Sequence, residues 1–377
     1  MKIGITTIFR GNTNYGGMLQ AFALVQAIKN LGFHNVEQIN FEYNRNPIYP
    51  SLLSRCSQYS IRQIIAKMME LSVERKYSLI EDKLNKRLSL FEQFLDTQIP
   101  KSKLYKANNH AQIGKDYDVL ITGSDQVWNP NVVRDVFVFD FPTEAKKIAY
   151  AASIARNALS KKEKAYMLPR IAKFDHIGMR EKTGKNILAR EGISSSVVLD
   201  PTMLLDSKQW NRVTSPRLIN GKYVLIYSFS DCKQKNNILD FYKKQGIQTV
   251  LIPYAKMKYN SYDGGGNFNF GWDVGPAEFL SLIKYADHVF TDSFHGTVFS
   301  ILFEKEFTVF ERAKRSGKVN MNSRLTDLLE TFNLKEMLVS DDEFPSHHPE
   351  CNYTQIDAKL DKLRKESLAW LKNSIEG

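Results

Sequence analysis

Short apolar runs alternate with amphipathic stretches along nearly the whole chain, and the alternation comes in two blocks. The first block opens with "KIGITTI", which reads as a strand, and "GMLQAFALVQAIKNLG", which reads as a helix closed by a glycine. The strand "VEQINF" follows, and later "YDVLITG", "KIAYAAS", "HIGMRE" and "SSVVLD", with the helical stretches "KEKAYMLPRIAKF" and "KTGKNILARE" among them. The second block runs from "YVLIYSF" through the helix "KQKNNILDFYKKQG", the strand "TVLIPY", a loop "DGGGNFNFGW" and the helix "PAEFLSLIKYAD". It ends on "HVFTDSFHGTVFSILFEK", a strand that hands over to a helix, and the strand "FTVFE". Alternation of this kind implies parallel sheets covered on both faces.

Two things interrupt the rhythm. Residues 44–115 contain a long, basic, helical stretch, "YSIRQIIAKMMELSVERKYSLIEDKLNKRLSLFEQFL", read as an insertion or helical cap. The turn-rich "DPTMLLDSKQWNRVTSPRLINGK" reads as the linker between blocks. A length of 377 residues also favours two domains, because single cores rarely grow past a few hundred residues. The expected α/β architecture is therefore two Rossmann-like domains facing a cleft. The first spans 1–205 with its insertion near 44–115, and the second spans 206–354. The amphipathic tail, 355–377, is expected to pack back on the first.

Lys+Arg is 52 and Asp+Glu is 41, a formal charge of +11. That surplus suits phosphorylated small molecules, nucleic acid or an anionic membrane face, or is simply a basic surface. No nucleic-acid motif supports the second. The cysteines Cys56, Cys232 and Cys351 are scattered without a CxxC pair, so neither structural zinc nor a disulfide framework is expected. The start, "MKIGITTIFRGN", lacks the apolar core of a signal peptide, and no apolar run approaches the roughly 20 residues of a membrane span. The expected location is cytoplasmic. The basic helices of 55–106 suit the inner face of a membrane, a solvated cap or a dimer surface alike.

In doubly wound sheets ligands bind beyond the carboxyl ends of strands, so the candidates are the residues there. After the first strand come Gly11, Asn12, Asn14, Gly16 and Gly17, which suit backbone approach to an anion at a helix start, or a turn and cap. The pattern is not that of a dinucleotide site. After "YDVLITG" come Ser124, Asp125, Gln126, Trp128 and Asn129. A carboxylate, amides and an indole suit a sugar, although Asp125 also suits a cap. Arg180 ends another strand, where it can fork onto a carboxylate or phosphate or simply pair with Glu181. At the last joint, Ser293, Gly296 and Thr297 with the helix's free N–H groups favour an anion, and His295 beside it is poised for proton transfer. The plainer alternative is a helix start capped by Asp292 or Ser293. Arg312, Lys314, Arg315, Lys318 and Arg324 form a basic segment, either solvated or able to close on an anion.

Taken together, "NYGGMLQAFAL", "YDVLITGSDQVWNP", "YAASIA", "IGMREKTG", "VLDPTML" and "TDSFHGTVFSILFEKEFTVF" resemble the polysaccharide pyruvyl transferase family over most of the chain. The resemblance implies two Rossmann-like domains in a glycosyltransferase-B-like arrangement. It also implies transfer of the enolpyruvyl unit of phosphoenolpyruvate onto two hydroxyls of one sugar, in a surface polysaccharide or its lipid-linked precursor. It implies His295 as catalytic histidine and Arg180 as the arginine that holds phosphoenolpyruvate. Asp125 is then the base for the sugar hydroxyl, and no metal or cofactor is needed, because cationic side chains can neutralise the donor. Many members carry an arginine two residues before the histidine. Here Ser293 stands there, so the missing charge comes from the segment around Arg312 to Arg324, or the donor differs. Two other readings fit the same plan: a nucleotide-sugar glycosyltransferase, and a non-catalytic protein that binds an anionic glycan. The acceptor sugar and the oligomeric state stay open.

Overall fold

A computed structural model of the chain describes residues 1–10, 13–42, 81–106, 108–229, 234–253, 269–311, 323–340 and 350–377. The first sheet contains β1 (Ile3–Thr6), β2 (Val36–Phe41), β3 (Lys101–Tyr105), β4 (Val119–Thr122), β5 (Lys146–Ala152), β6 (His176–Met179) and β7 (Ser196–Val197). Its order is β3-β2-β1-β4-β5-β6-β7, parallel throughout. The second contains β8 (Tyr223–Tyr227), β9 (Gln248–Ile252), β10 (Asn269–Phe270), β11 (His288–Thr291), β12 (Glu306–Phe310) and β13 (Leu338–Val339). Its order is β10-β9-β8-β11-β12-β13, again parallel. Both sheets thus start in the middle, run outward, then reverse. This is the Rossmann order, with switch points between β1 and β4 and between β8 and β11. The two sheets give the chain two Rossmann-like domains.

Helices fill the crossovers: α1 (Tyr15–Asn30), α2 (Glu81–Gln98), α3 (Lys161–Ile171), α4 (Lys182–Ala189), α5 (Lys235–Lys243), α6 (Pro276–Lys284), α7 (Phe294–Leu302), α8 (Ser323–Phe332) and α9 (Tyr353–Glu376). The central strands β1, β4, β8 and β11 are buried at every residue, as parallel strands covered on both faces must be. α1 is buried almost all round, because it lies between the two halves. Tyr15 stacks on Phe279 of α6 at 4.4 Å, and Phe22 meets Trp210 at 5.6 Å. Gly32, at φ 97°, follows the end of α1 in the left-handed region that glycine enters without steric cost. One apolar cluster therefore runs from α1 into the second sheet.

Two details differ from the sequence reading. The stretch read as a helical insertion also contributes β3 to the edge of the first sheet, while residues 44–80 lie outside the described residues. The stretch read as a linker is packed: Trp210 is buried, and its Nε1 donates to the Thr202 carbonyl at 3.0 Å. The loop "DGGGNFNFGW" falls mainly outside the described residues. The tail forms α9 and lies on the first sheet, where Trp370 meets Tyr150 at 6.0 Å and Ser367 Oγ accepts from Leu199 N–H at 3.0 Å. No helix among the described residues is long and apolar enough to cross a membrane.

Candidate active site

The two switch points meet where α1 and α7 begin. α1 starts at Asn14, whose Oδ1 accepts from the Gly17 N–H at 3.3 Å. The glycines that follow admit parts of the protein itself. A Cβ on Gly17 would lie 2.9 Å from the Ile8 carbonyl oxygen, and one on Gly16 would lie 1.9 Å from Nδ1 of His295. The imidazole at the start of α7 thus rests on the start of α1, and only glycine leaves room for it.

At the second switch point Asp292 Oδ1 accepts from the Phe229 N–H at 2.7 Å, which ties the end of β8 to that of β11. Ser293 caps α7, its Oγ accepting from the Gly296 N–H at 3.2 Å. Thr297 Oγ1 donates to the Ser293 carbonyl at 3.0 Å, and a Cβ on Gly296 would lie 2.5 Å from Thr291 Oγ1. This corrects the expected anion cradle. The side chains of Ser293 and Thr297 and the Gly296 N–H are engaged in the helix start, because a cap needs the same groups an anion would use. His295 remains, 7 % exposed, and no group among the described residues lies within hydrogen-bond distance of its Nε2.

What Nε2 faces is Asp200, which the sequence reading did not single out. The carboxylate Oδ2 lies 3.7 Å from Nε2, an electrostatic contact longer than a hydrogen bond. Oδ2 also accepts from Ser124 Oγ at 2.9 Å and from Arg180 Nη1 at 3.0 Å. Oδ1 accepts from the Thr202 N–H at 3.0 Å and Thr202 Oγ1 at 2.7 Å. Burial opposes ionisation of Asp200, but the His295 imidazole, the Arg180 guanidinium and Thr202 outweigh it and hold the carboxyl well below the usual range.

Arg180 is 8 % exposed and already surrounded. Besides Asp200, its Nη2 lies 3.4 Å from Asp125 Oδ1, its Nε 3.9 Å from Glu181 Oε2, and its guanidinium 4.6 Å over the Phe294 ring. The fork expected to take a ligand anion holds protein carboxylates here. Burial disfavours the charge on Arg180, but Asp125, Asp200 and Glu181 overcome this and raise its pKa. Glu181 Oε1 accepts from Ser153 Oγ at 3.0 Å and from the N–H groups of Ile154 and Ala155 at 3.1 and 3.2 Å. Burial still raises its pKa, against the pull of Arg180 and Arg324. Arg324, at the start of α8, is buried on this side of the cluster; Arg312, Lys314, Arg315 and Lys318 lie outside the described residues, as do Gly11 and Asn12.

Beyond β4 the expected residues divide. Ser124 sits between the halves of the cluster, its N–H donating to Gln20 Oε1 at 3.0 Å while its Oγ holds Asp200. Asp125 adopts φ 70°, left-handed backbone that aspartate tolerates better than most residues, and turns its carboxylate to Arg180. Asn129 and Gln126 instead bond each other at 3.0 Å, and Asn129 Oδ1 also accepts from the Asn131 N–H at 3.0 Å, which makes them turn formers. Trp128 is a correction. It is 0 % exposed, its Nε1 donates to the Phe137 carbonyl at 3.1 Å, and its ring packs on Phe174. It belongs to the core of the first domain and offers no face to a sugar.

The result is a buried cluster of two guanidinium groups, three carboxylates and one imidazole, built from both domains. It sets the His295 imidazole beside a carboxylate, Asp200, that stays ionised. Among the described residues no group of three or more His, Cys, Asp or Glu side chains could hold a metal ion. The rule that found Arg180 would also have found Asp200, the last residue of "SSVVLD" and three residues past β7; its place at the start of an apparent linker hid it.

Residues 14–314 match the family model described as "Polysaccharide pyruvyl transferase". No curated protein matches the chain by sequence. Among solved structures, it is similar to UDP-GlcNAc 2-epimerase from Neisseria meningitidis bound to UDP-GlcNAc, at 13 % identity and TM-score 0.47, over 99 % of this chain and 94 % of that one. It is also similar to the 2-epimerase of Methanocaldococcus jannaschii in complex with UDP-GlcNAc and UDP, at 14 % and 0.48 over 97 % and 93 %. A third is MurG of Acinetobacter baumannii, at 9 % and 0.43 over 100 % and 99 %. Identities and scores this low carry no inference about chemistry.

Proposed function

Because the chain belongs to the polysaccharide pyruvyl transferase family, we infer that it moves the enolpyruvyl unit of phosphoenolpyruvate onto two hydroxyls of one sugar in a surface polysaccharide or its precursor. The products are a pyruvate ketal and inorganic phosphate. The observation that supports this reading best is His295, seated on Gly16 with its Nε2 3.7 Å from the ionised Asp200. An imidazolium beside a carboxylate is a proton donor held in one orientation.

Phosphoenolpyruvate reacts at C2 only once its C3 methylene gains a proton, so the first step needs an acid near C3 and a base for the attacking hydroxyl. His295 is the acid in this scheme. Asp125 is the base, and Asp200 is a positioning residue that fixes the ring. The first sugar oxygen bonds to C2 as its proton leaves. The C2–O bond to phosphate then breaks, the second hydroxyl adds to C2, and its proton leaves with the phosphate. Two hydroxyl protons are lost, one balanced at C3 and one on phosphate. The surplus of +11 favours the approach of a trianionic donor, and Arg180 and Arg324 are the cations of the cluster that can meet it. A lipid-linked acceptor would bring the protein to a membrane face.

The test is phosphate release from phosphoenolpyruvate with galactose, mannose and N-acetylmannosamine acceptors. Release with none of them rejects the reading. His295→Gln is expected to lower turnover by about 10²–10⁴-fold while circular dichroism stays unchanged; near-normal turnover removes His295 from the acid role.

A further inference from the structure

A partly open cavity of about 480 Å³ lies between the Arg180–Asp200 pair and the helices α8 and α9. Its size falls within the ~300–1,000 Å³ typical of small-ligand sites. Three parts of the fold meet around it: the β7 edge of the first sheet, α8 of the second domain, and the C-terminal helix α9. His295 is not among the residues that line it. Its chemistry also differs from that of an anion site, because cationic and anionic side chains line it in equal number. A phosphorylated ligand would meet as many carboxylates as cations. Its apolar lining includes Trp370, Leu363 and Phe294, and Glu366, Lys359 and Lys182 line it as well. Trp370 is braced by Gly178, where a Cβ would lie 3.0 Å from the indole, and is only half-buried.

We propose that this cavity is the acceptor subsite and that it takes a pyranose without a phosphate group. A pyranose has a C–H face that suits the indole and hydroxyls that both donate and accept, so a lining with carboxylates and ammonium groups in balance serves it. Arg180 and Asp200 are the shared wall, which sets a sugar in the cavity beside the cluster that contains His295. The proposal rests on the transferase reading for its role but not for its existence as a sugar site.

The experiment uses the full chain and three probes: methyl β-galactopyranoside, methyl α-mannopyranoside and N-acetylmannosamine. Saturation-transfer NMR is recorded for the wild type, Glu366→Gln and Trp370→Phe, with circular dichroism to check folding. Transfer to at least one probe is expected, weakened in both variants. In turnover, both substitutions should raise the acceptor KM about tenfold, as loss of one good contact would, and leave the phosphoenolpyruvate KM unchanged. If the wild type releases no phosphate but binds a probe, and both variants lose that binding, the transferase reading fails and the sugar site stands. No transfer to any probe, or transfer and KM unmoved by both substitutions, overturns the site.

Discussion

Gly16 and His295 come from opposite halves of the chain and fix each other. A methyl on Gly16 would sit 1.9 Å from His295 Nδ1, so Gly16→Ala must turn the ring or push α1 from α7. Overpacking of this kind costs about 1–3 kcal/mol. Displacing a proton donor by an ångström costs about 10²-fold in rate, so turnover should fall far more than the unfolding midpoint in urea. Asp200 gives a different signature. Its pKa is lower folded than unfolded, so the stability it contributes is present above the unfolded value near ~3.9 and is lost as pH falls from there toward the folded value. Asp200→Asn leaves Arg180 short of a buried counter-charge and should cost about 3 kcal/mol at pH 7. The gap between wild type and variant, read from urea midpoints, should hold above about pH 4–5 and narrow below it. A gap that widens in acid would contradict the ionised state assigned to Asp200.

At the scale of elements, α2 acts as a strap. It precedes β3 of the first sheet, yet Arg87 reaches into the second domain, 1 % exposed, and donates to the carbonyls of Pro253 at 3.0 Å and Gly271 at 2.6 Å. Lys86 meets Asp273 at 3.1 Å beside it. Arg87→Met keeps the bulk but leaves two buried carbonyls without a donor, and should lower stability by about 2–4 kcal/mol in urea denaturation, against under 1 for the exposed Lys86→Met. None of this could be read from "EDKLNKRLSLFEQFL", where Arg87 looks like one more charge on a solvated face. The central strands were legible because parallel strands buried on both faces are continuous apolar runs. The edge strand β3, "KSKLY", was not, because its lysines mark an exposed edge, and β10 and β13 are only two residues each. At the site, the strand-end rule brought out His295, Arg180, Ser124 and Asp125. It failed where caps and anion cradles share a composition, as at Ser293 and Thr297. It failed again at Trp128, where the direction of an indole is set by Phe174 and Phe137, far from its own turn.

At the scale of the whole molecule, the two domains are closed on each other. His295, Asp200 and Arg180 are all buried, so a substrate reaches the ring only when the halves part. A shared apolar cluster joins them, and polar contacts sit at its edges. Tyr15 Oη donates to the Val274 carbonyl at 2.8 Å. Asp327 of α8 accepts from both the N–H and Oγ1 of Thr183 at 3.1 Å, capping α4 from the other domain. The Thr183–Asp327 contact lies at the surface end of the same helix pair that borders Arg324, so it is placed to report opening. Closure that completes a site and opening that releases product are common rate-setting steps. A disulfide between Thr183→Cys and Asp327→Cys should therefore trap the closed form. The oxidised double variant is expected to lose turnover, and dithiothreitol should restore it to the level of the reduced form. The single variants, which lose the cap but cannot lock, should stay active under both conditions. If the oxidised, mass-verified crosslink turns over like the reduced protein, the closed arrangement already admits substrate, and the domains need not move for His295 to work.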